Sequence, residues 1–414
     1  MEERRRIARP WLLAITGVAG AGLVLWSAVW VESFAAFRWV GPQTWFAPWA
    51  WLGLDFSYSY RAGALLFRGG DPYAQPFGDA RGLYAYPPLT LALHLWAPLL
   101  SYPAAYAVQL LLSTGVFAWA AAWANRARQR LGQKSLPYPA ILAAVLLSTP
   151  VLFAMERGQC DHLMLPLLLV AGWALAAPGL GRDALAGLAI GAAVWMKLYP
   201  LLTLPALLAL RRARAAAFAA VAVGMLALLP HTGDALRNMK GSQHRHGEDV
   251  LAVLQWLRHP SFTPVASEGS LTTYAHSVTT AWPLLFGRTP LGSVPGLLGA
   301  GTLLALPLAW VSYAVWRAAE ERRRAVAGVY LLWVTALATF LVPSSFDYNL
   351  VFLLLAALAL WSRGDPPAVH LLLGLFVLFW QPFALPLPGG AVFALKVLGL
   401  LGAGASLTAR LHNT

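Results

Sequence analysis

The chain has 414 residues, 59% hydrophobic and only 11% charged, with a mean hydropathy of +0.61. A soluble domain is about 25% charged, so an ordinary soluble enzyme is excluded, and the apolar runs recur too often for a single membrane anchor. The lone Cys160 excludes an internal disulfide and a cysteine metal cluster, and the net charge, 30 − 17 = +13, comes from short arginine runs between apolar segments, a topology signal rather than a nucleic-acid surface.

In chain order, the first apolar run is Trp11 to Val31. It is too long for a signal peptide and has no convincing cleavage site, so it predicts a retained span. The stretch 32–102 is polar, aromatic and glycine-rich, and predicts a large outer loop with interfacial helices. Asp55 begins its most polar part, and Gly69-Gly70-Asp71-Pro72-Tyr73 is a turn signature. Pro87 to Leu100 is apolar but shorter than the roughly 20 residues a spanning helix needs. It predicts a helix lying in, or dipping into, one membrane face. Further spans are predicted at 103–124, 138–155, 163–178, 184–196, 199–210, 215–230, 293–316, 325–343, 348–361, 368–383 and 389–408, about twelve in all. The region 184–210 has two readings. It is either a broken pair of short helices meeting at Lys197-Leu198-Tyr199-Pro200, or one helix kinked at Pro200. The polar stretch 231–292 is too short and too broken by Pro and Gly to be a domain, so 1–414 reads as one integral membrane domain. The fold class expected is an all-α polytopic membrane protein.

The basic runs are Arg4 to Arg9, Arg126 to Lys134, Arg211 to Arg214 and Arg317 to Arg324, with single Arg363 and Arg410. Placing them in the cytoplasm leaves five stretches outside: 32–102, MERGQCDH at 155–162, MKLYP at 196–200, 231–292, and SSFDYN at 344–349. The polar residues that look functional fall almost entirely in these five.

Asp55 is the first candidate. It reads as a general base for an acceptor hydroxyl, or as the N-cap of the helix that follows. Asp71 reads as a turn residue. Tyr58, Tyr60, Tyr84 and Tyr86 read as sugar-stacking rings or as interface anchors. Arg157, Gln159, Asp161 and His162 form either a solvated turn or part of a binding site. Lys197 interrupts an apolar run where an unpaired lysine is unfavourable. It can meet a phosphate as a compact point charge, or snorkel to the interface. Tyr199 stands beside it. His276 precedes one apolar stretch and Asp347 opens another, both on the outer side. The run His244-Arg245-His246 has the spacing of a weak metal tract and is better read as a solvated loop; no metal and no cofactor are predicted. The chain has no GxxxxGK[ST] and no GxGxxG after a strand, and no HExxH or GxSxG. An ATP-driven pump, a dinucleotide enzyme and a membrane zinc protease are disfavoured.

Taken in order, these landmarks resemble glycosyltransferase family 87 of the GT-C superfold. They are Asp55 after the first span, Gly69-Gly70-Asp71-Pro72-Tyr73, Tyr86-Pro87-Pro88, Gly158-Gln159, and Lys197-Leu198-Tyr199-Pro200 followed by Arg211-Arg212. The likeness is carried mainly by residues 40–210. It implies an inverting transferase, dependent on a polyprenyl-phosphate sugar such as polyprenyl-phosphate mannose, with its site on the outer face of a bacterial inner membrane. By position Asp55 matches the catalytic carboxylate, Lys197 the lysine of a Lys-x-x-Pro motif near the donor phosphate, and His276 a histidine of the large loop. Arg157 and Arg61 are the further cations for the donor phosphate. The substrate-binding candidates are Tyr60, Tyr73, Tyr86, Gln159, Tyr199, His276 and Asp347. The partners expected are the polyprenyl-phosphate donor, a glycolipid or glycan acceptor and the bilayer, with no nucleic acid. The alternative is a transporter or flippase for a lipid-linked sugar, which would use the same rings and cations without a base.

Overall fold

The computed structural model describes residues 53–76, 83–245, 294–341, 347–362 and 389–412, and their regular structure is helical. The predicted spans 11–31 and 368–383, and most of the loop 231–292, lie outside the described residues. Helix α1 (Leu54–Phe67) ends at the Gly69-Gly70 turn. Helix α2 (Pro88–His94) starts at a proline, a residue suited to the first helical turn. With the 3-10 turn Ala97–Leu99 it accounts for the apolar run 87–100, and it is too short to cross a bilayer. Helix α3 (Tyr102–Arg130) is long enough to cross one.

The span expected over 138–155 is instead two helices, α4 (Tyr138–Leu146) and α5 (Thr149–Arg157), bent by 53°. Pro150 gives the reason, since it lacks the N–H that would carry one helix through the Ser148 corner. Helices α6 (Asp161–Leu175) and α7 (Leu180–Val194) follow. The chain then breaks, and resumes as the 3-10 turn Tyr199–Leu202 and α8 (Thr203–Ala209), so 184–210 is not one kinked helix. After α9 (Ala213–Ala227) comes α10 (Thr232–Arg245), set at 90° to it in a stretch expected to be loop. Then come α11 (Val294–Arg317), α12 (Glu320–Leu341), the 3-10 turn Asp347–Leu350, α13 (Val351–Leu360) and α14 (Gly389–His412).

Among the described residues three helices are long and apolar enough to cross a membrane, or up to five if each bent pair is one span. The twelve expected are not shown. Several predicted spans are helices such as α6 and α7, whose 15 residues give about 22 Å at 1.5 Å per residue, short of a hydrocarbon core of about 30 Å.

The core sits on α12 and α13. Every residue from Val326 to Phe340, and every residue of α13, is buried. A helix that is apolar all round belongs inside a bundle, and α12 packs on α3, α6, α13 and α14. Outside this core α7 lies hard against α9. A Cβ placed on Gly187 would stand 2.5 Å from Phe218 Cβ and 2.6 Å from the Ala215 carbonyl oxygen. Small residues at this face let the two backbones approach, as they do between membrane helices generally.

The helices sort the polar residues to two ends. At one end Arg212 donates to the Leu175 carbonyl at 2.8 Å, capping α6, and pairs with Asp183 on α7. Arg128 donates to the Leu358 carbonyl at 2.8 Å, capping α13, and Arg410 reaches Leu360 on the same helix end. Arg322 donates to the Leu411 carbonyl. Basic side chains satisfy the carbonyls a helix leaves unpaired at its C-terminus, and so the arginine runs gather where α6, α13 and α14 end. The opposite end collects Asp55, the Arg157–Asp161 turn, the Lys197–Tyr199 break and the turn before α13.

Replacing Gly187 by valine should force α7 and α9 apart and destabilise the protein by about 1–3 kcal/mol, the range for overpacked interiors. A lower melting temperature in detergent is the expected reading, and an unchanged one would mean that this interface can relax.

Candidate active site

Asp55 lies in the first turn of α1, but it does not cap the helix. Gly53 occupies the N-cap, without a side-chain bond. The carboxylate instead reaches the turn after α5. Arg157 Nε donates to its Oδ2 at 2.6 Å and Arg157 Nη2 to its Oδ1 at 2.9 Å, a bidentate fork. Gln159 Nε2 also donates to Oδ2. The side chains of Arg157 and Asp55 are each only 11% exposed. An ionised carboxylate has about four acceptor positions. Three are taken here, which leaves one lone pair on Oδ1.

The backbone is fixed to hold this geometry. Gly53 N–H donates to the Glu156 carbonyl at 2.7 Å, and Tyr106 donates to the Met155 carbonyl at 2.6 Å. Gly158, at φ 67°, closes α5 in the left-handed conformation that glycine adopts without strain. A Cβ at that position would stand 2.6 Å from Phe56 Cβ. That turn aims Arg157 and Gln159 at the same carboxylate, although two residues apart on a helix would diverge.

A second cluster continues from the first. Asp161 opens α6 and is wholly buried. Lys197 Nζ lies 3.2 Å from its Oδ2, and Tyr199 donates to its Oδ1 at 3.0 Å. Asn349, from the turn before α13, accepts from Lys197 at 3.1 Å, and its Oδ1 also lies 3.2 Å from the Tyr199 hydroxyl, whose single proton the shorter contact to Asp161 takes. The break after α7 is what allows Lys197 to turn inward. Lys197 is therefore the partner of a buried acid, and neither a lone charge nor a lysine snorkelling to the surface. Asp55 and Asp161 lie within electrostatic reach of each other. Beside them Gln109 Nε2 donates to His162 Nδ1 at 3.2 Å, and the His162 ring meets His94 edge-on at 6.2 Å.

Not every expected residue joins. Arg61 lies half-buried further along α1 and has no ion pair among the described residues. Tyr60 donates to the Leu100 carbonyl at 3.0 Å and packs edge-on against Tyr102, fastening α1 to the segment before α3. Tyr73 is buried, donates to the Tyr86 carbonyl at 3.2 Å and stacks on His231. Burial pushes the Tyr73 phenol well above its ordinary range, so it stays a neutral donor. Asp71 accepts from Tyr73 N–H at 2.8 Å, as a turn residue does. Tyr86 packs against Tyr84, which bonds Ser59. Asn238 on α10 donates to the carbonyls of Tyr73 and Tyr84, both at 3.0 Å. These tyrosines are part of the scaffold that holds α1, the segment before α3 and α10 together. Tyr58, on α1, also has a raised phenol pKa, first from burial and then from Asp55. Asp347 opens the turn that carries Asn349, and His276 lies outside the described residues. Among the described residues no three His, Cys, Asp or Glu come together as a metal site.

Sequence reasoning missed Asn349. Asp347, two residues earlier, drew the attention because it is charged. The only available signal was an asparagine at the mouth of an apolar helix.

Changing Lys197 to methionine should leave Asp161 buried and unpaired, destabilising the protein by about 3–5 kcal/mol. Adding Asp161→Asn should recover much of that loss, because the stranded charge is removed. Thermal melts of the single and double variants decide this; a double variant no more stable than the single would remove the ion-pair account.

A model of glycosyltransferase family 87 matches residues 84–345. The match starts later and runs further than the likeness read over 40–210, and it contains Arg157, Gln159, Asp161, Lys197 and Tyr199, with Asp55 and Asn349 flanking it. No curated protein and no solved structure matches the chain. The family model covers well over half of the sequence, and the chain therefore belongs to glycosyltransferase family 87, and is an enzyme that transfers a sugar from a donor to an acceptor.

Proposed function

We propose that this enzyme is an inverting membrane glycosyltransferase that moves a sugar, mannose by family resemblance, from a polyprenyl-phosphate donor to a hydroxyl of a glycolipid or glycan acceptor. The observation that carries the proposal is the state of Asp55. It is an oriented carboxylate with one acceptor position left, in a protein that must deprotonate an attacking hydroxyl. The acceptor oxygen attacks the anomeric carbon as the bond from that carbon to the phosphate oxygen breaks. The hydroxyl proton passes to Asp55 Oδ1, and the bonding pair leaves with the polyprenyl phosphate. Arg157 and Gln159 hold the carboxylate in position for this. Lys197, on the edge of the second cluster with 12% of its side chain exposed, is the cation placed to meet the leaving phosphate. His276 and Asp347 stand as further substrate contacts, and Arg61 as a further phosphate contact, on the sequence alone.

The direction of the chain in the membrane follows from its charge. The arginine runs cap helix ends at one face and the carboxylate clusters occupy the other. Positive loops favour the cytoplasm, and this supports a reading with Asp55 on the extracytoplasmic side of a bacterial inner membrane. A lipid-linked donor enters such a site sideways from the bilayer.

Purified protein in lipid, supplied with polyprenyl-phosphate mannose and a membrane glycolipid extract, should form a mannosylated product. Asp55→Asn should lower turnover by about a hundred- to ten-thousand-fold, the worth of a general base, while donor binding persists. Normal transfer by Asp55→Asn would refute the assignment of the base, whatever the sugar.

A further inference from the structure

A cavity of about 70 Å³ opens at the end of the bundle remote from Asp55, between the α8–α9 turn and the start of α12. Arg211, Arg212, Arg323 and Arg324 line it, with Glu320, over an apolar floor that includes Leu175 and Leu210. Two carboxylates offset these four cations. Glu320 pairs with Arg324, and Asp183 lies 3.2 Å from Arg212. Arg323 still faces Arg211, Arg212 and Arg324 as like charges. The cavity is thus short of negative charge. It also holds an unmet donor, since Arg324 Nε is buried without a hydrogen-bond partner.

Arg211 adds a second kind of observation. Its φ is 55°, the left-handed region that non-glycine residues seldom enter. It follows α8 where a helix usually ends on glycine, and its N–H bonds the Leu208 carbonyl at 2.9 Å. A glycine would sit there without strain, so the arginine stands there against a backbone preference. Its guanidinium lies 4.8 Å from the centre of the Trp316 ring. From Trp316 an exposed apolar and aromatic stripe runs down α11 through Tyr313, Trp310 and Leu306, which are 64%, 51% and 59% exposed. Aromatic rings of this kind mark the level of the lipid headgroups.

We propose that the cavity binds the phosphate of an anionic phospholipid, with the acyl chains lying along the exposed face of α11. Guanidinium forks suit phosphate oxygens, and basic pockets between membrane helices on the cytoplasmic side take anionic headgroups. The adjoining apolar stripe favours a lipid over a free phosphate. A bound headgroup would tie the α8–α9 turn to α12, the central helix of the core. It would therefore stabilise the folded state.

The test uses the full chain in a neutral detergent and reads melting temperature and retained lipid by native mass spectrometry. Phosphatidylglycerol should raise the melting temperature by about 3 °C or more. Phosphatidylcholine with the same chains, and inorganic phosphate at equal concentration, should not. Arg211→Gly keeps the left-handed turn and removes the cation; it should fold normally, lose the specific rise and retain at least several-fold less phosphatidylglycerol. Arg323→Gln should do the same from the other wall. Equal effects of the two lipids, an equal effect of inorganic phosphate, or an undiminished response in both variants would overturn the proposal. No sugar transfer is involved, so the result stands apart from the transferase reading.

Discussion

Asp55 and Arg157 are 102 residues apart in sequence, and in a mostly apolar interior neither is tolerable without the other. Their bidentate pair fixes the arrangement at this end of the molecule. It requires the first turn of α1 to lie against the last turn of α5. The backbone bond from Gly53 to Glu156 and the Tyr106 hydroxyl lock that approach. The same turn then starts α6 with Asp161 inside, which in turn demands Lys197, Tyr199 and Asn349. One charge pair thus propagates into a polar network drawn from α1, α5, α6, the break after α7 and the turn before α13. A network of this kind is stable only when its members are satisfied together, which is why the short helices and breaks are so sharply placed.

The other end obeys the same rule with the opposite sign. There the helices present carbonyls, and arginines cap them. The macrodipole favours this pairing, since cations belong at C-termini and carboxylates at N-termini. Asp55 and Asp161 both occupy first helical turns, while Arg128 and Arg212 reach final ones. Asp183 and Glu320 also occupy first helical turns, and there they pair with Arg212 and Arg324 at the arginine-rich end. The Asp55 and Asp161 clusters and the arginine cavity lie at opposite ends of the helices.

Much of this was legible in the sequence, and particular residues show where it stopped being so. The apolar runs announce the helices, while Lys197 and Pro200 leave open a break or a kink, which the structure resolves as a break. Pro150 carried the same information for the α4–α5 bend and was overlooked, because the apolar run continues through it. Helix α10 was read as loop from its polar composition. Its order comes from Asn238 and Ala235 docking on Tyr73 and Tyr84, a tertiary effect that local propensity does not contain. Asp55, Arg157, Gln159 and Lys197 were all singled out, but their pairing was not. Pairing depends on the left-handed turn at Gly158 and on the 3-10 register before α13, and neither has a period that can be read from residue spacing. The tyrosines illustrate the converse. A row of rings beside a carboxylate looks like a sugar platform, yet Tyr60 and Tyr73 use their hydroxyls on backbone carbonyls.

The extent of the family match has a structural meaning. It ends before Asn349 and begins after Asp55, yet the residues inside it are not self-sufficient. Within it, Arg157 aims a fork and Asp161 is neutralised by Lys197, while Asn349, beyond its end, accepts from Lys197. The matched segment therefore presents a prearranged cation that needs a carboxylate from elsewhere, and the flanking α1 supplies it. A reaction centre assembled in this way places its proposed base on a separate element from its proposed phosphate-binding lysine.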